Sequence, residues 1–290
     1  MATVLGAGLI GVSAAQAREL RYAMGFPPGP DLGVAGKKYA ERVEELTDGE
    51  LSVKVYALSL LNFVETPIGV SDGMADIGYV LTPYFPQQFP HMNLVAEFSM
   101  LLHLQDDKVR GREGYAYVGA MAEFVFLNCP ECQQDMAKQN QVMTANAGSS
   151  QYGLTCTRKV TTMDELKGTR LRVAGFHWSR WAEAFGAVSV TLSSNEAAEA
   201  LSQGVVDCVV ISAPELMASV CDFVEKDIDP MAEYYKTERG VANSERMTAD
   251  FREILGRWVE LVQDVETVED LSGLYWDEVY SKIDVTTHGM

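Results

Sequence analysis

Apolar and polar positions alternate between two periods along this chain. The run "ELRYAMG", residues 19–25, reads as a strand. In "PDLGVAGKKYAERVEELTDG", Ala35, Tyr39, Val43 and Leu46 fall at helical spacing, Asp31 stands where a cap is needed, and Thr47-Asp48-Gly49 ends the pattern. "ELSVKVY" alternates like a half-buried strand. "ETPIGVSDGMADIGYV" predicts a short helix with Pro67 in its first turn, a glycine stop and a buried strand. A helix-rich stretch runs from about His91 to Leu127, and "QVMTANA" and "YGLTCT" read as two strands in succession. Then "RLRVAG" (strand), "HWSRWAEAFGA" (helix), "VSVTL" (strand), "NEAAEALSQG" (helix) and "VVDCVVIS" (strand) follow, and from Pro214 onward only helical periodicity remains.

Strands alternating with helices predict an α/β fold with a largely parallel sheet. The pattern also echoes itself: Glu65, Gly73 and Asp76 recur as Glu196, Gly204 and Asp207 at the same spacings. Each copy is a helix, a glycine cap, two residues, an aspartate and an apolar strand. The copies are too far apart for a solenoid and predict two similar lobes with a ligand cleft between them. The expected division is a leader over residues 1–17, lobes over 18–142 and 143–222, and C-terminal helices over 223–290 that pack back on the lobes.

The leader has two readings. Gly6-Ala7-Gly8-Leu9-Ile10-Gly11 matches the dinucleotide-loop pattern, yet only Thr3-Val4-Leu5 stands before it as a strand, and the next strand ends in "GFPPGP" without the acid a ribose needs. Residues 2–15 are uncharged, and Ala15-Gln16-Ala17 is followed at once by Arg18-Glu19, which predicts a secretory signal cleaved after Ala17 and a periplasmic protein.

Charge narrows the partners. The chain of 290 residues carries a formal net charge of −18, which argues against nucleic acid and anionic membrane surfaces. A small anion is not excluded, because one local cation suffices to hold it. Cys129-Pro130-Glu131-Cys132 lacks the further nearby ligands a zinc site requires. In an exported chain it reads as a structural disulfide, either 129–132 or one of the two with Cys156. Cys208, inside "VVDCVVI", reads as a buried free thiol, and the fifth cysteine, Cys221, makes the count odd. No H-E-x-x-H motif is present, no pair of carboxylates can be singled out as acid and base, and neither metal nor cofactor is expected.

The segment "MDELKGTRLRVAGFHWSRWAEAFGAVSVTLSSNEAAEALSQGVVDC" resembles the second lobe of the substrate-binding proteins of tripartite ATP-independent periplasmic (TRAP) transporters. "ELRYAMGFPPGP", "YAERVEELTDGELSVKVY" and "SDGMADIGYV" resemble the family's first lobe, so the likeness runs from residue 19 to about 220. It implies a two-lobed periplasmic binding fold, a small organic acid as ligand and a membrane permease as partner. It also implies that Arg172, at the family's "LRV" position, pairs with the ligand carboxylate; its planar fork suits two parallel hydrogen bonds. Arg170 alternates to the opposite face.

The chain departs from the family where many members carry a second arginine; here stand Ser150 or Gln151. After "GVVD" the run is Val209-Val210-Ile211-Ser212-Ala213-Pro214, with Ser212 as its polar residue. The expected pocket is therefore apolar and aromatic, lined by Phe26, Tyr84, Phe176 and Trp178, with His177 as an added donor. Trp181, facing Phe185 on its helix, reads as core. The C-terminal part passes directly into helices where relatives recross the cleft. The function expected is a solute receptor; an enzyme or an interaction protein on the same fold are the alternatives.

Overall fold

A computed structural model describes residues 18–28, 32–105, 107–148, 152–212 and 245–283. Residues 1–17, with the expected leader, lie outside them, as do Ser150, Gln151 and Cys221.

The first lobe is built on β1 (Arg18–Met24), α1 (Leu32–Leu46), β2 (Leu51–Ala57), α2 (Thr66–Ser71) and the two-residue β3 (Ile77–Gly78). Its sheet has the order β2-β1-β3 and all pairs are parallel. The second lobe contains β4 (Tyr152–Cys156), β5 (Arg170–Val173), α6 (Phe176–Ala184), β6 (Val188–Thr191), α7 (Ala197–Ser202) and β7 (Cys208–Ser212). Here the order is β4-β7-β5-β6, parallel except for β4. Removing β4 leaves β6-β5-β7, the arrangement of the first lobe.

The predicted echo is a structural repeat. Asp76 accepts hydrogen bonds from the backbone N–H and the Nε of Arg21, and Asp207 does the same for Arg170. In return, the N–H of each aspartate donates to the carbonyl of its arginine. Gly73 and Gly204 end the preceding helices at φ 75° and 66°, a left-handed geometry that glycine adopts without penalty. Glu65 and Glu196 both fold back to accept an N–H three residues upstream, from Asn62 and Ser193. The ion pairs fix which strand follows which helix, and they place Ala23 of β1 and Arg172 of β5 at equivalent positions.

A further set of helices shares one core: α3 (Pro90–Glu97), α4 (Glu113–Glu123), the π-turn Phe124–Asn128, α5 (Pro130–Lys138) and, from the C-terminal part, α8 (Glu245–Leu261) and α9 (Val268–Glu278). Phe251, Leu255 and Trp258 of α8 enter one core with Phe89, Phe98 and Phe124. Each buried ring contributes about 2–3 kcal/mol. Trp258 also donates its Nε1 to Glu123 at 2.8 Å, and the same carboxylate pairs with Arg257.

Two expectations need correction. Residues 141–147, predicted as a strand, form none: the Gln141 side chain donates to the Pro67 carbonyl and the Asn146 amide to the Val118 carbonyl. Cys208 is not a free thiol but is bonded to Cys156, while Cys129 pairs with Cys132. The cause is register: antiparallel β4 and β7 set Cys156 opposite Cys208. Trp181 is fully buried in the core, as its spacing predicts.

Candidate functional site

The carboxyl ends of β1, β3 and β5 meet where the lobes touch, the usual place for a ligand in parallel α/β sheets. Arg172 lies there, fully buried. Its Nε donates to the Leu192 carbonyl at 2.9 Å, its Nη1 to the Val210 carbonyl at 2.9 Å and its Nη2 to the Tyr84 hydroxyl at 2.5 Å. The first two partners belong to the segment after β6 and to β7, so the second lobe fixes the guanidinium plane. The third comes from the first lobe. All three are neutral; among the described residues no carboxylate pairs with this cation. A buried charge in that state has exchanged hydration for dipoles alone and is complementary to an anion.

Tyr84 closes a short 3₁₀ turn, Thr82–Tyr84, held by Asn93, whose amide donates to the Thr82 carbonyl. The Tyr84 oxygen accepts twice, from Arg172 and from the Ser194 N–H at 3.0 Å, which leaves its own proton to donate. Its ring packs against both lobes, beside Met24, Phe26 and Phe63 on one side and beside the cluster holding Val173 and Trp178 on the other. A second bridge runs the opposite way: Asn195 donates to the Gly25 carbonyl at 3.0 Å and accepts from the Phe63 N–H at 3.4 Å. At Gly175 the lobes approach so closely that a Cβ would stand 2.4 Å from the Pro83 carbonyl oxygen. Only glycine fits there.

The other predicted residues spread around this junction. Phe26 meets Phe63 edge-on at 4.6 Å and Tyr79 at 5.3 Å, forming an aromatic wall on the first lobe. Trp178 is buried, lies 4.8 Å from the Tyr152 ring and touches Trp181 edge-on. His177 is buried beside Trp178; burial, with the Arg180 charge second, lowers its pKa to about 4, so it is neutral at pH 7. Phe176 is 55% exposed in the first turn of α6, with the Arg180 guanidinium over its ring. Ser212 is buried at the end of β7. Thus Arg172 and Tyr84 are brought into contact and Phe26 joins them through the Tyr84 cluster. Trp178 and His177 stand behind on α6, and Phe176 turns to solvent. Asn195 and Ser194 were not singled out from the sequence, where they fall at the start of a short helix. Ser193 and Glu196 form a capping box there. Among the described residues no cluster of metal-ligating side chains is present.

Two lobes of repeated α/β design, joined across a buried arginine with no carboxylate partner among the described residues, define a solute-binding protein of the periplasmic type. Comparison with known proteins narrows this: the family described as bacterial extracellular solute-binding protein, family 7, matches residues 26–267, and the chain belongs to it. It is the extracytoplasmic solute receptor of a TRAP transporter and works with the membrane permease of such a system. Solved structures share the fold at low identity. An extracytoplasmic solute receptor of Bordetella pertussis binding pyroglutamic acid is 21% identical, with a TM-score of 0.60 over 91% of this chain and 86% of that one. A marine metagenome TRAP solute-binding protein specific for pyroglutamate is 14% identical, with a TM-score of 0.60 over 95% and 86%. A TRAP solute-binding protein of Bordetella bronchiseptica with bound (R)- and (S)-mandelate is 17% identical, with a TM-score of 0.58 over 90% and 89%.

Proposed function

We propose that this receptor binds a small organic acid between its lobes, with the carboxylate on Arg172, and releases it unchanged to the permease. The observation that carries the reading is the fully buried guanidinium whose partners are two carbonyls and a phenol. Such a fork is preorganised for a carboxylate, and the anion supplies the charge its neighbours lack. The organic acids in the related structures support the same class. Phe26 offers apolar surface for the body of the ligand; Phe176 and Trp178, on α6, remain candidates for a rearranged bound state, and His177, Ser212, Ser150 and Gln151 are the remaining polar candidates. The division into lobes at residues 142 and 143, with helices from 223, belongs to this reading. So does export with cleavage after Ala17, which N-terminal sequencing of mature protein beginning at Arg18 would support.

The experiment is mass spectrometry of small molecules released when purified protein is denatured, followed by calorimetric titration of the acid recovered. Arg172→Ala should weaken binding by about 30- to 5000-fold, the loss of a charge-assisted pair from a desolvated site, roughly 2–5 kcal/mol. Arg172→Lys should fare poorly as well, since a point charge does not reproduce the fork. A folded Arg172→Ala protein that binds within about threefold of wild type, roughly 0.7 kcal/mol, sinks the assignment. Turnover of the acid would replace receptor by enzyme.

A further inference from the structure

Ser194 is 3% exposed, and its hydroxyl has no hydrogen-bond partner among the described residues. An orphaned buried hydroxyl is costly and calls for an explanation. Capping does not supply one, because the adjacent Ser193 already caps the turn with Glu196. Nor does packing: at the equivalent position the first lobe has Phe63, 1% exposed, which fills its space with a ring. The backbone N–H of Ser194 is bound to the Tyr84 oxygen, which also receives Arg172. The hydroxyl is therefore attached to the residue that adjoins the carboxylate anchor. Two other orphaned atoms lack that connection: the Trp181 Nε1 lies in a tryptophan packed among core side chains, and the Asn93 side chain already holds the turn before Tyr84.

On the organic-acid reading above, we infer that Ser194 is a specificity-determining residue whose hydroxyl binds a polar substituent next to the ligand's carboxylate. A hydroxyl both donates and accepts, so it suits a group that does the same. The ligand class is a monocarboxylate bearing a hydroxyl on the carbon next to the acid. Tyr84, with its remaining proton, serves the carboxylate together with Arg172, and the aromatic wall of Phe26 and Phe63 faces the apolar body.

The test compares two matched pairs of probes by calorimetry: mandelate against phenylacetate, and lactate against propionate. Wild-type protein should prefer the 2-hydroxy acid of a pair by about ten- to a hundredfold. Ser194→Ala should bring that ratio within about threefold while leaving the affinity for the unsubstituted acid nearly unchanged, whereas Tyr84→Phe should weaken both acids alike. Thermal melts establish that the variants are folded. A preference that survives Ser194→Ala, or a wild-type protein with no preference, overturns the inference. So does a wild type that binds none of the four acids. If Arg172→Lys loses binding while Ser194→Ala keeps its preference, the organic-acid reading stands and only the role of Ser194 falls.

Discussion

The two lobes carry the same scaffold and differ at the residues that meet between them. Arg21–Asp76 and Arg170–Asp207 tie the same strand to the same turn. Phe63 and Ser194 each send a backbone N–H to a side chain of the opposite lobe, to Asn195 and to Tyr84. Against this common frame, the first lobe has Ala23 and Phe63 where the second has Arg172 and Ser194. One lobe presents an apolar wall and the other a cation and a hydroxyl. A ligand with an acid end and an apolar end is read in a single orientation by such a pair, because each end is desolvated against its own kind of surface.

The comparison can be broken by giving one lobe the other's residue. Phe63→Ser places a hydroxyl in a packed aromatic cluster and opens a cavity; it should cost about 3–5 kcal/mol or more in urea unfolding. A cost under about 1 kcal/mol would mean that Phe63 does not hold the first lobe together.

Next in size is the disulfide contrast. Cys156–Cys208 closes a sequence separation of 52, Cys129–Cys132 one of 3. On chain entropy, removing the first pair as a double serine variant should cost about 4 kcal/mol and removing the second about 2. Equal losses would show that native-state packing around the cysteines, not loop closure, sets the difference. Alkylation of denatured, unreduced protein should spare all four of these thiols.

His177 sharpens the contrast in its pH dependence, since the second lobe buries a neutral imidazole. Its folded pKa, about 4, lies below the ordinary histidine value of 6.5. The unfolded chain therefore takes up a proton first as pH falls. The stability this group contributes is complete above pH 6.5 and is lost as pH drops towards 4, by up to about 3 kcal/mol. Denaturant midpoints of wild type and His177→Gln between pH 7 and 4 should converge as the pH falls. Parallel curves would exclude the effect.

The smallest expected difference is a null one. Asp76 and Asp207 are both held below the usual carboxylate range, first by the side-chain bond to their arginines. Both pairs are partly exposed, so Asp76→Asn and Asp207→Asn should each lower Tm by about 1–3 °C and by the same amount. Unequal shifts would mark the repeat as geometric only.

Much of this was legible in the sequence. The repeat was visible because Glu, Gly and Asp stand at fixed offsets within short local units, and Arg172 was singled out by its place in the strand that resembles the family's "LRV". Cys208 was misread for a physical reason: its apolar neighbours signal burial, while its partner is chosen by an antiparallel register that no local pattern encodes. Ser194 was hidden by its neighbour, since the cap belongs to Ser193 and the orphaned hydroxyl shows only when partners are counted in space. The strand expected at 141–147 failed because side-chain bonds from Gln141 and Asn146 reach across to other segments, an option that periodicity does not reveal.

The staple between β4 and β7 has a consequence for handling the protein. The carbonyl of Val210 that orients Arg172 sits two residues beyond Cys208, on the strand the disulfide anchors. Material produced in a reducing cytosol, or stored with dithiothreitol, orients the arginine against a strand without its covalent tether. Affinities measured on such a preparation describe a different molecule from the one that meets its solute outside the cell, and a thiol count belongs beside every binding constant.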